Sequence, residues 1–245
     1  MDLDTQYYLG ERENPITILD DWIIRGNMNK EWSELNKQMQ TQLKKKDTFE
    51  DGIESLIELR NEVWDVIASF KRDLKKDDFN AIPFLKAEGL HNKTIAYSLW
   101  HVFRIEDIVA HDLVKGDEEI LFKKGYDKKI GSPIITTGNE LFQNDIADFS
   151  KQLDLKELYA YISDVKKSSE KILKDLSFED LKKKIPAEKK EYLKSLKVVS
   201  EDESAVWLID YWCDKDIRGL IQMPFSRHWI MHTEACLRIK SKLGK

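Results

Sequence analysis

Phe225-Ser226-Arg227-His228-Trp229-Ile230-Met231-His232-Thr233-Glu234-Ala235-Cys236-Leu237-Arg238-Ile239 reads as the last helix of the chain. Successive helical residues turn by about 100°, so His228 and His232 lie on one face. Met231, Ala235, Ile239 and Leu243 share that direction and form an apolar stripe, so both imidazoles should point into a core. A buried neutral imidazole needs a polar partner. Two readings stand for this helix alone. Either backbone or carboxylate groups satisfy the two histidines, or a metal ion does.

Working outward, the rest of the chain also reads as helices. Gly (10) and Pro (5) are too few for the turns of a sheet protein of 245 residues, while 41% apolar content with seven Trp supports a core. A net charge of −5 gives no footprint for nucleic acid. Two cysteines, Cys213 and Cys236, make no disulfide framework and suit a reducing compartment. The start, Met1-Asp2-Leu3-Asp4-Thr5, has no apolar signal region, and no run approaches the roughly 18–20 residues that span a bilayer. The expectation is a cytoplasmic protein without a membrane segment.

Residues 1–46 read as an N-terminal extension packed on the main domain, 47–245. In it, Tyr7, Tyr8, Ile16 and Trp22 precede a break at Gly26, and a helix is expected from about Asn29 through Trp32, Leu35, Met39 and Leu43. Thr48-Phe49-Glu50-Asp51 reads as a capped start of a helix reaching about Asp77. After a connection with Pro83 and Gly89, a second helix spans about Asn92 to Val114 and stops at Gly116. It is apolar on two flanks, one carrying Ile95, Leu99, Val102, Val109 and Leu113, the other Ser98, His101, Ile105 and Ile108. Arg104, Asp107 and His111 are expected on its wetter side.

Residues 115–145 show no sustained period and read as mostly loop, with a short helix around 117–124. So long a connection is a candidate lid or pocket wall. A third long helix is expected from Asp154 to Leu176, and Ser177-Phe178-Glu179-Asp180 as the cap of a short one reaching Ile185. Lys189 to Leu196 add a turn or two, and the lysines of 182–197 read as a solvated face. Ser200-Glu201-Asp202-Glu203 reads as a capping box, with interruptions at Asp214-Lys215-Asp216 and Gly219 before the final helix begins at Phe225 or Ser226.

Of the five histidines, His101 is the best third partner for the H-x-x-x-H pair. It lies mid-helix on a buried stripe beside Thr94 and Ser98. Three histidines from two helices would leave a coordination position open. Its alternative is a hydrogen-bonded core residue. His111 and His91 read as surface or capping residues. Glu106, between Leu99, Val102, Val109 and Leu113, must either orient an imidazole or pair with an Arg or Lys of another helix. Cys236 reads as a small core residue, with a reactive thiol as the alternative. No nucleotide loop, G-x-S-x-G elbow or C-x-x-C motif is present.

Ser98-Leu99-Trp100-His101-Val102-Phe103-Arg104-Ile105-Glu106-Asp107 resembles the second-helix motif of the DinB-like superfamily. His228-Trp229-Ile230-Met231-His232 is similar to its last-helix H-x-x-x-H, and Leu176-Ser177-Phe178-Glu179-Asp180-Leu181 to the stretch after its third helix. The resemblance covers about 48–245. It implies an all-α, up-down-down-up four-helix bundle in which His101, His228 and His232 bind a divalent metal. Imidazoles suit Zn²⁺, Ni²⁺, Fe²⁺ or Cu²⁺ alike. It further implies a small-molecule substrate and a low-molecular-weight thiol co-substrate, since relatives include bacillithiol S-transferases and thiol-dependent isomerases. A hydrolase would use the same arrangement. The chain departs from the pattern in its extension and in the 115–145 and 182–203 segments. The competing expectation is a stress-related binding or interaction bundle without catalysis, its metal structural or absent. Trp22 and Trp32 would then serve a homodimer contact.

Overall fold

The computed structural model describes residues 30–87 and 92–245. Every regular element among them is helical. The expected features at Tyr7, Tyr8, Ile16, Trp22, Gly26, Gly89 and His91 lie outside the described residues.

Helix α1 is Lys30–Gln42. Trp32, Met39 and Leu43, which share one helical face, are all buried, so the described part of the extension belongs to the common core. Its partner is α2, Phe49–Asp73. The approach depends on Gly52: a Cβ there would stand 2.9 Å from Leu43 Cδ2 and 3.1 Å from Leu43 N. Thr48 precedes α2 as expected but does not cap it through its side chain. Its hydroxyl donates to Gln42 O at 2.8 Å and ties the α1–α2 turn instead. The helix ends four residues earlier than the sequence suggests, because Leu74 is extended and Asp78 accepts from Lys75 N at 2.8 Å to open a 3₁₀ turn over Lys76–Asn80.

Thr94 caps α3, Ile95–Ile108, by accepting from Tyr97 N at 3.0 Å. The helix widens into a π turn over Val109–Lys115 and stops at Gly116, whose φ of 76° suits glycine. Every residue of α3 is buried. The wetter side expected for Arg104, Asp107 and His111 does not exist: their exposures are 0%, 0% and 2%. The covering comes from residues 115–145, which fold back over this flank. They contribute two short helices, α4 (Ile120–Lys123) and α5 (Tyr126–Lys129), and lead into α6, Asn144–Gln152, which the sequence reading did not place.

Helix α7, Leu155–Lys174, is capped by Asp154, which accepts from Glu157 N at 3.0 Å. Ser177 and Asp180 exchange the expected reciprocal bonds, but these open only a 3₁₀ turn, Asp180–Lys182. After α8, Glu188–Leu196, the cap of α9, Glu203–Cys213, is Asp202 rather than Ser200; Ser200 accepts from Asp202 N instead. Gly219 lies inside α10, Ile217–Ile221, held there by its N–H bond to Asp216. A π turn over Met223–Arg227 leads into α11, His228–Lys242.

Helix α3 packs against α7 and α11, and α2 touches both of those as well. No helix among the described residues is long and apolar enough to cross a membrane. The α1–α2 contact sets the first prediction. Gly52→Leu overfills the space beside Leu43 and should lower stability by about 1–3 kcal/mol in urea unfolding. Unchanged stability would mean that α1 is not closely docked.

Candidate metal centre

His101 projects from the middle of α3, and His228 and His232 from the first turn and a half of α11. Each is 3% exposed. His101 Nε2 and His228 Nε2 stand 3.2 Å apart, and one ring nitrogen from each of the three histidines lies within 4.8 Å of the others. Nitrogens of a tetrahedral site with bonds of roughly 2.0–2.1 Å are about 3.3 Å apart, so the His101–His228 edge already has a coordination length. The hydrogen-bond inventory points the same way. Neither nitrogen of His232 has a partner, nor does His228 Nδ1. Each such orphan costs about 1–3 kcal/mol in a dry interior. This donor set fits a divalent cation.

Protonation is equally suited to ligation. His101 Nδ1 meets Thr137 O at 2.9 Å. A carbonyl only accepts, so Nδ1 carries the proton and Nε2 keeps its lone pair towards the other two rings. Burial pushes His101 down to about 4, with the nearby Lys93 charge adding to the effect and the Thr137 bond opposing it. Burial, then the neighbouring imidazoles, holds His228 and His232 well below the usual histidine range. All three are neutral at pH 7 and would release no proton on binding a metal.

The 115–145 segment forms one wall of this centre. Tyr97 donates to Gly138 O at 3.0 Å, Trp100 to Thr136 O at 3.0 Å, His101 to Thr137 O and Arg104 to Ile135 O at 2.7 Å. Positions 97, 100, 101 and 104 form one helix face, so a strap of four consecutive carbonyls lies along the His101 side of α3. Gly138, at φ 80°, lets the strap pass close to Tyr97. Tyr97 in turn stacks on His101, with ring centroids 5.5 Å apart and planes 10° off parallel. Ser98, Leu99, His232 and Cys236 help to line a void of about 10 Å³, space for about one water.

Glu106 takes the ion-pair alternative. Its carboxylate receives Arg60 Nη1 at 3.0 Å and Nη2 at 2.8 Å, and also Ser169 Oγ and Trp229 Nε1. Arg60 also donates to Phe225 O at 2.9 Å and lies 4.1 Å from the Trp229 ring centre. The pair therefore grips the start of α11 on both sides of His228 and fixes which way that helix faces. Sequence reasoning singled out Glu106 but not Arg60. Its position among Ile53, Leu56, Leu59 and Val63 on the buried face of α2 was the available signal. Cys236 is a core residue whose thiol burial pushes up to about 12, so it stays protonated.

His111, expected at the surface, is buried between Asp117 and Ser168. It belongs to a second polar cluster. There Arg104 pairs with Glu119, and Asp107 accepts from Ile120 N, Leu121 N and Tyr161 OH. Asp112 is pushed up to about 8 by burial and then by the charge of Glu119. Among the described residues, His101, His228 and His232 are the group close enough to hold a metal. No family model matches this chain, and no curated protein or solved structure matches it either.

Two outcomes are expected. Removing one partner of a buried ion pair costs roughly 3–5 kcal/mol, whereas replacing both by apolar groups restores much of that. Glu106→Leu should therefore be much less stable than the double variant Arg60→Met/Glu106→Leu in a double-mutant unfolding cycle; additive losses would contradict the pairing. Asp112 has a folded-state affinity for its proton above that of the unfolded chain, so its contribution is present at low pH and is lost as pH rises from about 4 to about 8. Relative to Asp112→Asn, the wild type should lose stability across that range, measured by unfolding at several pH values. Parallel pH profiles would refute the raised proton affinity of Asp112.

Proposed function

We propose that this protein is a metal-dependent enzyme. His101, His228 and His232 hold a divalent cation, Zn²⁺, Ni²⁺ or Fe²⁺, inside a DinB-like four-helix bundle. The reaction is thiol S-transfer or hydrolysis on a small-molecule substrate. The observation that carries this reading is the meeting of three buried, neutral imidazoles whose nitrogens lack other partners. The mutual packing of α2, α3, α7 and α11 supports the bundle. The ordered motifs around His101, Ser177 and His228 support the family.

Each residue has a definable part. Thr137 O fixes the His101 tautomer and aims Nε2 inward. Glu106 and Arg60 hold the helix that carries the other two imidazoles. The 135–138 strap excludes water from the His101 side. A bound divalent cation supplies Lewis acidity, lowering the pKa of a coordinated water or thiol. With three protein ligands, a fourth position remains for that group.

One observation favours a second reading, a non-catalytic bundle with a structural metal. Among the described residues, the void beside His232 is about 10 Å³, space for about one water. Metal analysis of protein purified without an affinity tag tests the centre. About one divalent ion per chain is expected for wild type, with most of it lost in His101→Ala, His228→Ala and His232→Ala. A metal-free wild type under metal-replete conditions would end the proposal. With metal present, turnover of a generic electrophile with added thiols, or of a generic ester, separates enzyme from structural bundle.

A further inference from the structure

We propose that residues 131–143 are a lid on the imidazole centre, closed in this structure and poised to open so that a metal ion and a small ligand can reach the three histidines. The inference rests on the metal reading above and states how that centre is entered. All three histidines are 3% exposed, so a wall of the centre must move before anything can bind there. The helices are poorly suited to that. Parting α3 from α11 would pull Glu106 from Trp229 Nε1 and disturb the buried Arg60–Glu106 pair. The strap at 135–138 is held differently, by side-chain donors of α3 on its carbonyls. Water can take over each of those bonds as the strap lifts.

The two ends of the segment differ. Gly131, at φ 75°, lies so close to α6 that a Cβ would stand 2.8 Å from Gln152 O. Ile130 O beside it accepts from Asp154 N at 2.7 Å, so this end is pinned. At the other end Asp145 N donates to Phe142 O at 2.9 Å across a turn whose first central residue is Gln143. Gln143 has φ 45° and ψ −114°, close to the roughly +60° and −120° of a type II′ turn. That position favours glycine, because a Cβ is strained there. Phe142 is 53% exposed, so apolar packing does not hold this end down. Within the segment, Glu140 receives Thr136 Oγ1 on one carboxylate oxygen, while its other oxygen is buried without a partner among the described residues. The closed lid therefore keeps a strained backbone and an unsatisfied carboxylate oxygen. Opening returns Gln143 to negative φ and lets water reach Glu140.

The test uses the full chain loaded with Zn²⁺ and measures metal transfer to excess 4-(2-pyridylazo)resorcinol, a chromogenic chelator. Gln143→Gly fits the closed turn without strain and should slow release by roughly five- to tenfold. Gln143→Ala keeps the Cβ and should release at the wild-type rate. Tyr97→Phe, which removes the donor to Gly138 O, should release about threefold faster. Low urea should barely change these rates, since a lid exposes little surface compared with global unfolding. Equal rates in wild type and Gln143→Gly, a Gln143→Ala variant as slow as the glycine one, or a rate that climbs steeply in low urea would overturn the inference. A second readout needs no metal. Diethyl pyrocarbonate acylates an exposed imidazole nitrogen, and labelling of the peptide that carries His101 in the metal-free chain should slow in Gln143→Gly by the same factor. If wild type binds no zinc, the metal reading fails and labelling decides the lid: slower labelling in Gln143→Gly keeps it, unchanged labelling removes it. If zinc binds but its release ignores Gln143→Gly, the lid alone fails.

Discussion

The Arg60–Glu106 pair is the constraint on which the other parts of this structure depend. It joins α2 to α3, reaches Ser169 and Glu170 on α7, and holds Phe225 and Trp229 around the start of α11. Both side chains are fully buried. Such a pair adds little net stability over a well-packed apolar core, because two ions must leave water. What it adds is direction. A bidentate guanidinium–carboxylate contact tolerates few orientations, so the four helices that meet there are fixed in rotation as well as in position. His228 and His232 inherit their aim from it.

The imidazole cluster has the opposite economy. Three rings share a dry space with too few hydrogen-bond partners, which opposes folding in the metal-free chain. The strap of carbonyls at 135–138 relieves this for His101 alone. One nitrogen of each ring lies within 4.8 Å of the others, and burial keeps His228 and His232 uncharged. A site left unsatisfied in this way is the expected form of a preorganised ligand set, in which the cost of gathering the donors is met during folding rather than during binding.

Much of this was legible in the sequence because it depends on period. Spacings of three and four placed α1, α2, α3, α7 and α11 and turned His101, His228 and His232 inward. Glu106 on an apolar stripe announced a buried partner, though not which one. The 115–145 segment was legible only as a candidate wall with a short helix around 117–124; its path along α3 was not. It covers α3 mainly through backbone carbonyls and backbone N–H groups, which every residue carries, so its sequence has no pattern that reports the contact. For the same reason Arg104, Asp107 and His111 looked solvated. Polar residues on a third helix flank normally face water, and only the folded segment supplies Glu119, Ile135 O and the α4 amides that replace it. Caps changed wherever a side chain chose between neighbouring backbone groups, as at Thr48 and Ser200.

The sequence by itself determined that the chain is helical, which apolar stripes are buried and which histidines share a direction, since these follow from local spacing and the hydrophobic effect. Only the tertiary structure decided that the three imidazoles meet, that Glu106 pairs with Arg60, and that a strap of carbonyls sets the His101 tautomer. Those facts are distances between residues far apart in the chain, from 31 to 165 positions. Such distances are fixed by packing of the whole, not by any local period.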